Sequence, residues 1–189
     1  MVKDWTTTLL PLNKKFEFRK WIIINKKTRL ISFDSSSSKT GWAIFDNANY
    51  IKSGVINLDT SECRKKYKGN SDQRIADMCL SIINLLKEYK PDIIVIEKLN
   101  VGRNMVATRC LSKIIGAVYC YSVLNENVFY YEIQPSQWRS QIGIQSSKRK
   151  RDEYKQLSIK YVKDNFGIDV TDDESDAICA GIGYIKMFN

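Results

Sequence analysis

Residues 29–50, RLISFDSSSSKTGWAIFDNANY, decide how the rest of the chain is read. Leu30-Ile31-Ser32-Phe33 reads as a β-strand ending on Asp34. The polar turn Ser35–Lys39 follows, and Gly41-Trp42-Ala43-Ile44-Phe45 forms a second strand. Asp46-Asn47-Ala48-Asn49 is a hairpin turn into a third strand, Tyr50–Leu58. The first strand therefore carries a carboxylate, Asp34, to a strand end, where open α/β sheets hold their ligands.

Working outward, Asp59–Asn70 is hydrophilic and reads as a surface loop. Ile75, Met78, Cys79, Ile82, Ile83, Leu86 and Tyr89 recur at three and four residues, so Ser71–Lys90 is an amphipathic helix. Ser71 can cap it and Pro91 ends it. Ile93-Ile94-Val95-Ile96 is apolar throughout, as a strand buried on both faces requires, and it ends on Glu97. A helix over Asn104–Asn125 places Leu111, Ile114, Ile115, Val118 and Tyr119 on one side. Val128–Ile133 is the next strand, Pro135 opens a short helix, and Lys148–Asn165 is a basic helix closed by Gly167. Asp172–Phe188 is the last helix. Hairpin-linked strands followed by strand–helix alternation give an α/β fold, a mixed sheet with an antiparallel flank and helices on both faces. Residues 1–28 form a basic arm that adds a strand or hairpin, since Trp21-Ile22-Ile23-Ile24 is β-prone. Residues 29–189 form one domain.

The chain has 189 residues, 30 Lys and Arg, 21 Asp and Glu, a net charge of +9 and no histidine. The missing histidine excludes Ser-His-Asp and Cys-His catalysis, His-ligated zinc and an imidazole base. Five cysteines without a C-x-x-C pair read as reduced, buried thiols in a cytoplasmic protein. The longest mostly apolar stretch, Ile114–Leu124, is too short to span a membrane, and no export signal is expected. Residues 1–29 carry a net +6, and residues 139–163 another +6, which points to a polyanionic partner.

Against that charge stand two carboxylates at strand ends, Asp34 and Glu97, and the run Asp172-Asp173-Glu174-Ser175-Asp176 opening the last helix. Asp172 alone suits an N-cap. Asp173 and Asp176, three residues apart, share a face that continues inward through Ala177, Ala180, Gly181 and Tyr184. Those small residues let the helix approach the sheet and deliver its acids to the strand ends. Four converging acids raise one another's pKa and persist comfortably only when divalent cations neutralise them. An oxygen-only set selects Mg²⁺ or Mn²⁺.

The segments LISFD (30–34), GWA (41–43), IIVIE (93–97) and DESDA (173–177) resemble the RuvC family of Holliday-junction resolvases, ribonuclease H-like nucleases with four acids in this order. Pro135-Ser136-Gln137-Trp138-Arg139 is similar to that family's P-x-x-[VW]-[KR] segment. The resemblance covers about residues 29–184 and is nearest the phage-encoded branch. It implies a five-stranded sheet in the order 3-2-1-4-5 and catalytic, metal-binding roles for Asp34, Glu97, Asp173 and Asp176. Asp172 and Glu174 are alternatives to Asp173. It further implies two Mg²⁺ ions per site, with Mn²⁺ substituting, about 3.5–4 Å apart. Asp34 would bridge them, Glu97 would complete one site, and Asp173 with Asp176 the other. The expected reaction is in-line hydrolysis of a phosphodiester to a 5′-phosphate and a 3′-hydroxyl. The expected partners are four-way junctions and other branched DNA, and a second copy of the chain. The expected setting is the host bacterial cytoplasm, with no membrane and no nucleotide cofactor. The helix after the fourth strand, with Gly116, Ala117 and Cys120, is expected at the dimer interface.

DNA contact is expected from Arg139, Lys148, Arg149, Lys150 and Arg151, and next from Lys98, Arg103, Arg109 and Lys113. Tyr130, Tyr131 and Trp138 read as core residues ahead of base-stacking ones. The rival classes are another ribonuclease H-like nuclease, of RNase H or transposase type, and an actin-like or sugar-kinase ATPase fragment. Asp34–Gly41 loosely fits the ATPase phosphate loop, but nine glycines supply no second one.

Overall fold

In a computed structural model describing residues 28–99 and 105–188, the alternation after Thr28 becomes an antiparallel ribbon of β1 (Arg29–Asp34), β2 (Lys39–Asp46) and β3 (Asn49–Asn57). The β2–β3 turn places Asn47 and Ala48 at φ 50° and 66°, the left-handed pair of a type I′ hairpin. β4 (Ile93–Glu97) pairs parallel with β1, and β5 (Phe129–Ile133) parallel with β4. The sheet order is β3-β2-β1-β4-β5, as expected. The helices are α1 (Ser61–Lys66), α2 (Ser71–Tyr89), α3 (Met105–Leu124), α4 (Pro135–Gln141), α5 (Arg151–Phe166) and α6 (Asp172–Phe188).

The two-residue period of the strands sorts their side chains into two cores. Ile31, Phe33, Ile44, Ile94 and Ile96 pack with Ile75, Met78, Ile82 and Leu86 of α2 and Ile114 and Val118 of α3. Leu30, Ala43, Phe45, Ile93 and Val95 pack on the other face with Trp138 of α4, Val162 of α5 and Ile178, Cys179 and Ala180 of α6. Each fully buried aliphatic contributes about 1.5–3 kcal/mol, so helices on both faces hold β1 and β4 in place.

α6 lies closest to the sheet. A Cβ on Gly181 would stand 2.3 Å from Phe45 Cε2 and 2.7 Å from Ser32 Oγ, so only glycine admits this approach. Ser32 uses the proximity: its buried hydroxyl donates to Ala177 O at 2.7 Å.

Several local expectations are corrected. Residues 61–66 of the supposed loop are helical, started by Thr60, whose Oγ1 accepts from Cys63 N. Asn70 rather than Ser71 caps α2, accepting from Gln73 N at 3.0 Å. The basic helix begins at Arg151, not Lys148, because Glu153 bonds back to Lys150 N at 2.8 Å and stops the helix there. Thr171 rather than Asp172 caps α6, its Oγ1 accepting from Glu174 N. Tyr119 is 53% exposed rather than part of the core face of α3. The arm, through residue 27, lies outside the described residues. Among the described residues, no helix is long and apolar enough to cross a membrane.

Candidate active site

Asp34 and Glu97 terminate adjacent parallel strands, whose register pairs Phe33 with Ile96. That register alone sets the two carboxylates side by side at the C-terminal edge of the sheet. The antiparallel register on the other side pairs Asp34 with Gly41. A Cβ at Gly41 would lie 1.9 Å from Asp173 O and 2.4 Å from Asp173 C. The first turn of α6 therefore rests directly on β2 backbone, beside Asp34, and needs a glycine beneath it. One turn further on, Asp176 has a buried Oδ1 without a hydrogen-bond partner among the described residues, and the Ser158 hydroxyl offsets part of the rise that burial causes in its carboxyl.

Of the three acids that open α6, two have partners on other elements. Asp172 pairs with Lys155 of α5. Glu174 accepts from Ser53 of β3 at 2.6 Å, and Ser53 is joined to Tyr50 at 2.7 Å. Asp173 is the one whose charge acts on Asp34. The alternatives to Asp173 are thus engaged elsewhere.

The four carboxylates share one unfavourable environment. Burial drives the Asp34 carboxyl well above the ordinary carboxylate range, and the charges of Glu97, Asp176 and Asp173 add to it. Burial also raises Glu97, against the Trp138 N–H, which donates to Glu97 Oε2 at 3.1 Å. Asp176 and Asp173 are raised first by burial as well. Positive charge stands around this group rather than within it. Lys155 acts on Asp34, Asp173 and Asp176, Arg139 on Glu97 and Asp176, Arg151 on Glu97, and Lys39 on Asp173.

A hard divalent cation suits this donor set. All four groups are carboxylates, they repel one another, and the orphaned Asp176 oxygen is a buried acceptor awaiting a partner. The acids are grouped rather than closed: among the described residues, no three His, Cys, Asp or Glu side chains already form a cation cage.

The expected DNA-contacting residues divide. Lys98 is exposed immediately past Glu97, and Lys148, Arg149, Lys150 and Arg151 are exposed on the approach to α5. The Arg139 guanidinium lies against the rings of Trp138 at 4.9 Å and Tyr154 at 4.4 Å, beside the acids. Lys113 binds Asp72 of α2, and Arg109 is exposed on α3. Arg103 lies outside the described residues. Lys39 and the direct role of Lys155 went unread in the sequence. Lys155 was submerged in a charge run, and Lys39 had only its place after the serine turn as a signal.

Residues 30–182 match the family model described as crossover junction endodeoxyribonuclease RuvC. The chain belongs to the RuvC family. The matched span contains Asp34, Glu97, Asp173 and Asp176 and leaves out the basic arm. The RuvC of Hydrogenovibrio crunogenus is 28% identical over 118 residues, 60% of this chain. The chain spans 63% of the length of that curated relative. Solved structures share the RuvC fold at low identity. Thermus thermophilus RuvC, in complex with Holliday junction substrate, has a TM-score of 0.62 at 13% identity, covering 84% of this chain and 93% of that one. The yeast mitochondrial Holliday junction resolvase gives 0.57 at 16%, covering 92% and 85%. The fowlpox virus resolvase, with its substrate Holliday junction DNA, gives 0.55 at 16%, covering 84% and 97%.

Proposed function

We propose that this chain is a divalent-metal-dependent endonuclease that nicks four-way DNA junctions and other branched DNA. The observation that carries the reading is the group of four half-buried carboxylates, Asp34, Glu97, Asp173 and Asp176, with an unpartnered oxygen on Asp176 and cations around its rim. Asp34, Glu97, Asp173 and Asp176 would hold two Mg²⁺ ions, or Mn²⁺, which supply Lewis acidity toward the scissile phosphate and an attacking water. The chain's own residues do the rest. The Trp138 and Tyr154 rings hold the Arg139 guanidinium near the acids, where it suits a phosphate oxygen. Lys155 pairs with Asp172, whose charge raises Asp173 and Asp176, and keeps a positive charge beside the ligand set. Lys98 and Lys148–Arg151 supply phosphate contacts that position the backbone without reading bases.

The test is incubation of labelled four-way, flap and linear duplex DNA with Mg²⁺ or with EDTA. Paired nicks near the branch point, with 5′-phosphate and 3′-hydroxyl ends, are expected with Mg²⁺ only. Equal cleavage of the linear duplex, or no cleavage with either Mg²⁺ or Mn²⁺, overturns the reading.

A four-way junction presents two equivalent strands, which suits a two-fold dimer. α3 supplies a surface for it. Tyr119, Val123 and Leu124 are exposed, Cys120 is exposed beside them, and a Cβ on Gly116 would meet nothing within 4 Å. The chain's own core therefore has no need of a glycine there, while a facing helix would. Gly116→Arg is expected to give a monomer in sedimentation with an unchanged metal-binding affinity. A dimer of parental strength would remove α3 from the interface.

A further inference from the structure

Trp138, on α4, is wholly buried where that helix packs against α6. A Cβ on Gly183 would stand 2.4 Å from Trp138 Cβ and 2.7 Å from its Cα, so α6 gives up a side chain to let the backbone of α4 approach. Filling that pocket needs apolar volume alone, which phenylalanine or leucine also supplies. An indole brings in addition an N–H, and burying it unpaired would cost about 1–3 kcal/mol. It is not unpaired. It reaches from α4 to the end of β4 and donates to Glu97 Oε2 at 3.1 Å. The indole nitrogen donates and cannot accept, so the contact suits an ionised carboxylate. The face of the same ring carries the Arg139 guanidinium at 4.9 Å.

We propose that Trp138 is a positioning residue for the metal centre, holding one oxygen of Glu97 by its N–H and Arg139 by its ring face. This rests on the reading of Glu97 as a metal ligand. Groups that orient a ligand from behind in this way typically change metal affinity by about 10–100-fold when removed. The ring thus links two functions that the sequence presents separately, the acid that ends β4 and the cation that ends the P-x-x-W-R segment.

The test uses the full chain, its Trp138→Phe variant, Glu97→Gln and the double variant. Mn²⁺ binding is read by calorimetry, and the Mg²⁺ concentration giving half-maximal junction nicking is read beside it. Trp138→Phe is expected to weaken Mn²⁺ binding about tenfold or more and to raise the Mg²⁺ requirement in step. Added to Glu97→Gln, it is expected to change Mn²⁺ binding no further, because the partner of the N–H is already altered. A merely structural role would lower the melting midpoint and leave both metal readouts in place. If the smaller ring itself loosens the fold, β-(3-benzothienyl)alanine at position 138 keeps the indole outline without the donor, and the same loss of Mn²⁺ affinity is expected. Parental Mn²⁺ affinity in a folded variant lacking the donor overturns the inference alone. A parent protein that binds no Mn²⁺, or whose binding ignores Glu97→Gln, overturns the metal reading and this inference together.

Discussion

Asp34→Asn is expected to abolish nicking, by at least about 10³-fold or roughly 4 kcal/mol of barrier, and to stabilise the metal-free protein at the same time. The two effects have one cause. Asp34 is placed by β1 where burial and three neighbouring acids oppose its charge, so its carboxyl titrates well above the ordinary range in the folded chain. A raised acid favours folding while it is protonated in both states, below about pH 4. That contribution is lost as the pH rises through the folded value. Each pKa unit of rise costs the folded state about 1.4 kcal/mol, and 1 kcal/mol moves the midpoint of a chain this size by about 2–4 °C. Melting in EDTA at pH 4, 5.5 and 7.5 is expected to show Asp34→Asn gaining on the parent as the pH rises, by at least about 2–4 °C at pH 7.5. Acids held low by partners, such as Asp77 at about 2 through Lys66, Tyr67 and Gln73, occur in both proteins and cancel in the difference. Mg²⁺ should close the gap by stabilising the parent only. A variant that melts below the parent at pH 7.5 in EDTA, or that still nicks, removes Asp34 from the centre.

How much of this was legible depends on where each signal lay. β1, β2 and β4 were readable because their apolar runs are continuous and buried, and the acids at the ends of β1 and β4 follow from strand length alone. α1 was missed for the opposite reason: none of its six residues is buried, so it has no apolar period to detect. The start of α5 was misplaced because Lys148, Arg149 and Lys150 favour helix by propensity, whereas the backbone follows the Glu153 bond to Lys150 N. The acidic run 172–176 could be ranked only in part. Spacing selected Asp173 and Asp176, but what separates Asp173 from its neighbours is that Lys155 takes Asp172 and Ser53 takes Glu174. Both partners lie on other elements, one of them 121 residues away. The bond from Trp138 to Glu97 spans 41 residues and was equally invisible. Sequence pattern thus located the acids, and tertiary contacts distinguish them.

The consequence for mutagenesis is sharpest at a residue with no functional group. Gly41→Ala is expected to cut junction nicking about 100-fold, the scale of a misplacement of about 1 Å at a reacting centre. The added methyl would sit 1.9 Å from Asp173 O and 3.0 Å from Glu174 N. Both are backbone atoms, so no side chain can swing aside. Either α6 lifts off β2 by more than an ångström or the strand yields, and each moves Asp173 relative to Asp34. Overpacking of this kind costs about 1–3 kcal/mol, so some stability is lost as well. Gly54→Ala separates the two effects. Its methyl would meet Trp42 Cζ2 at 2.8 Å, a milder clash directed at a side chain of the other core. Assayed well below both midpoints, Gly54→Ala should nick at close to the parental rate and keep the parental Mg²⁺ requirement, while Gly41→Ala loses both. Equal losses in the two variants would mean that destabilisation alone is being read. A fully active Gly41→Ala would show that the seating of α6 on β2 does not set the acids.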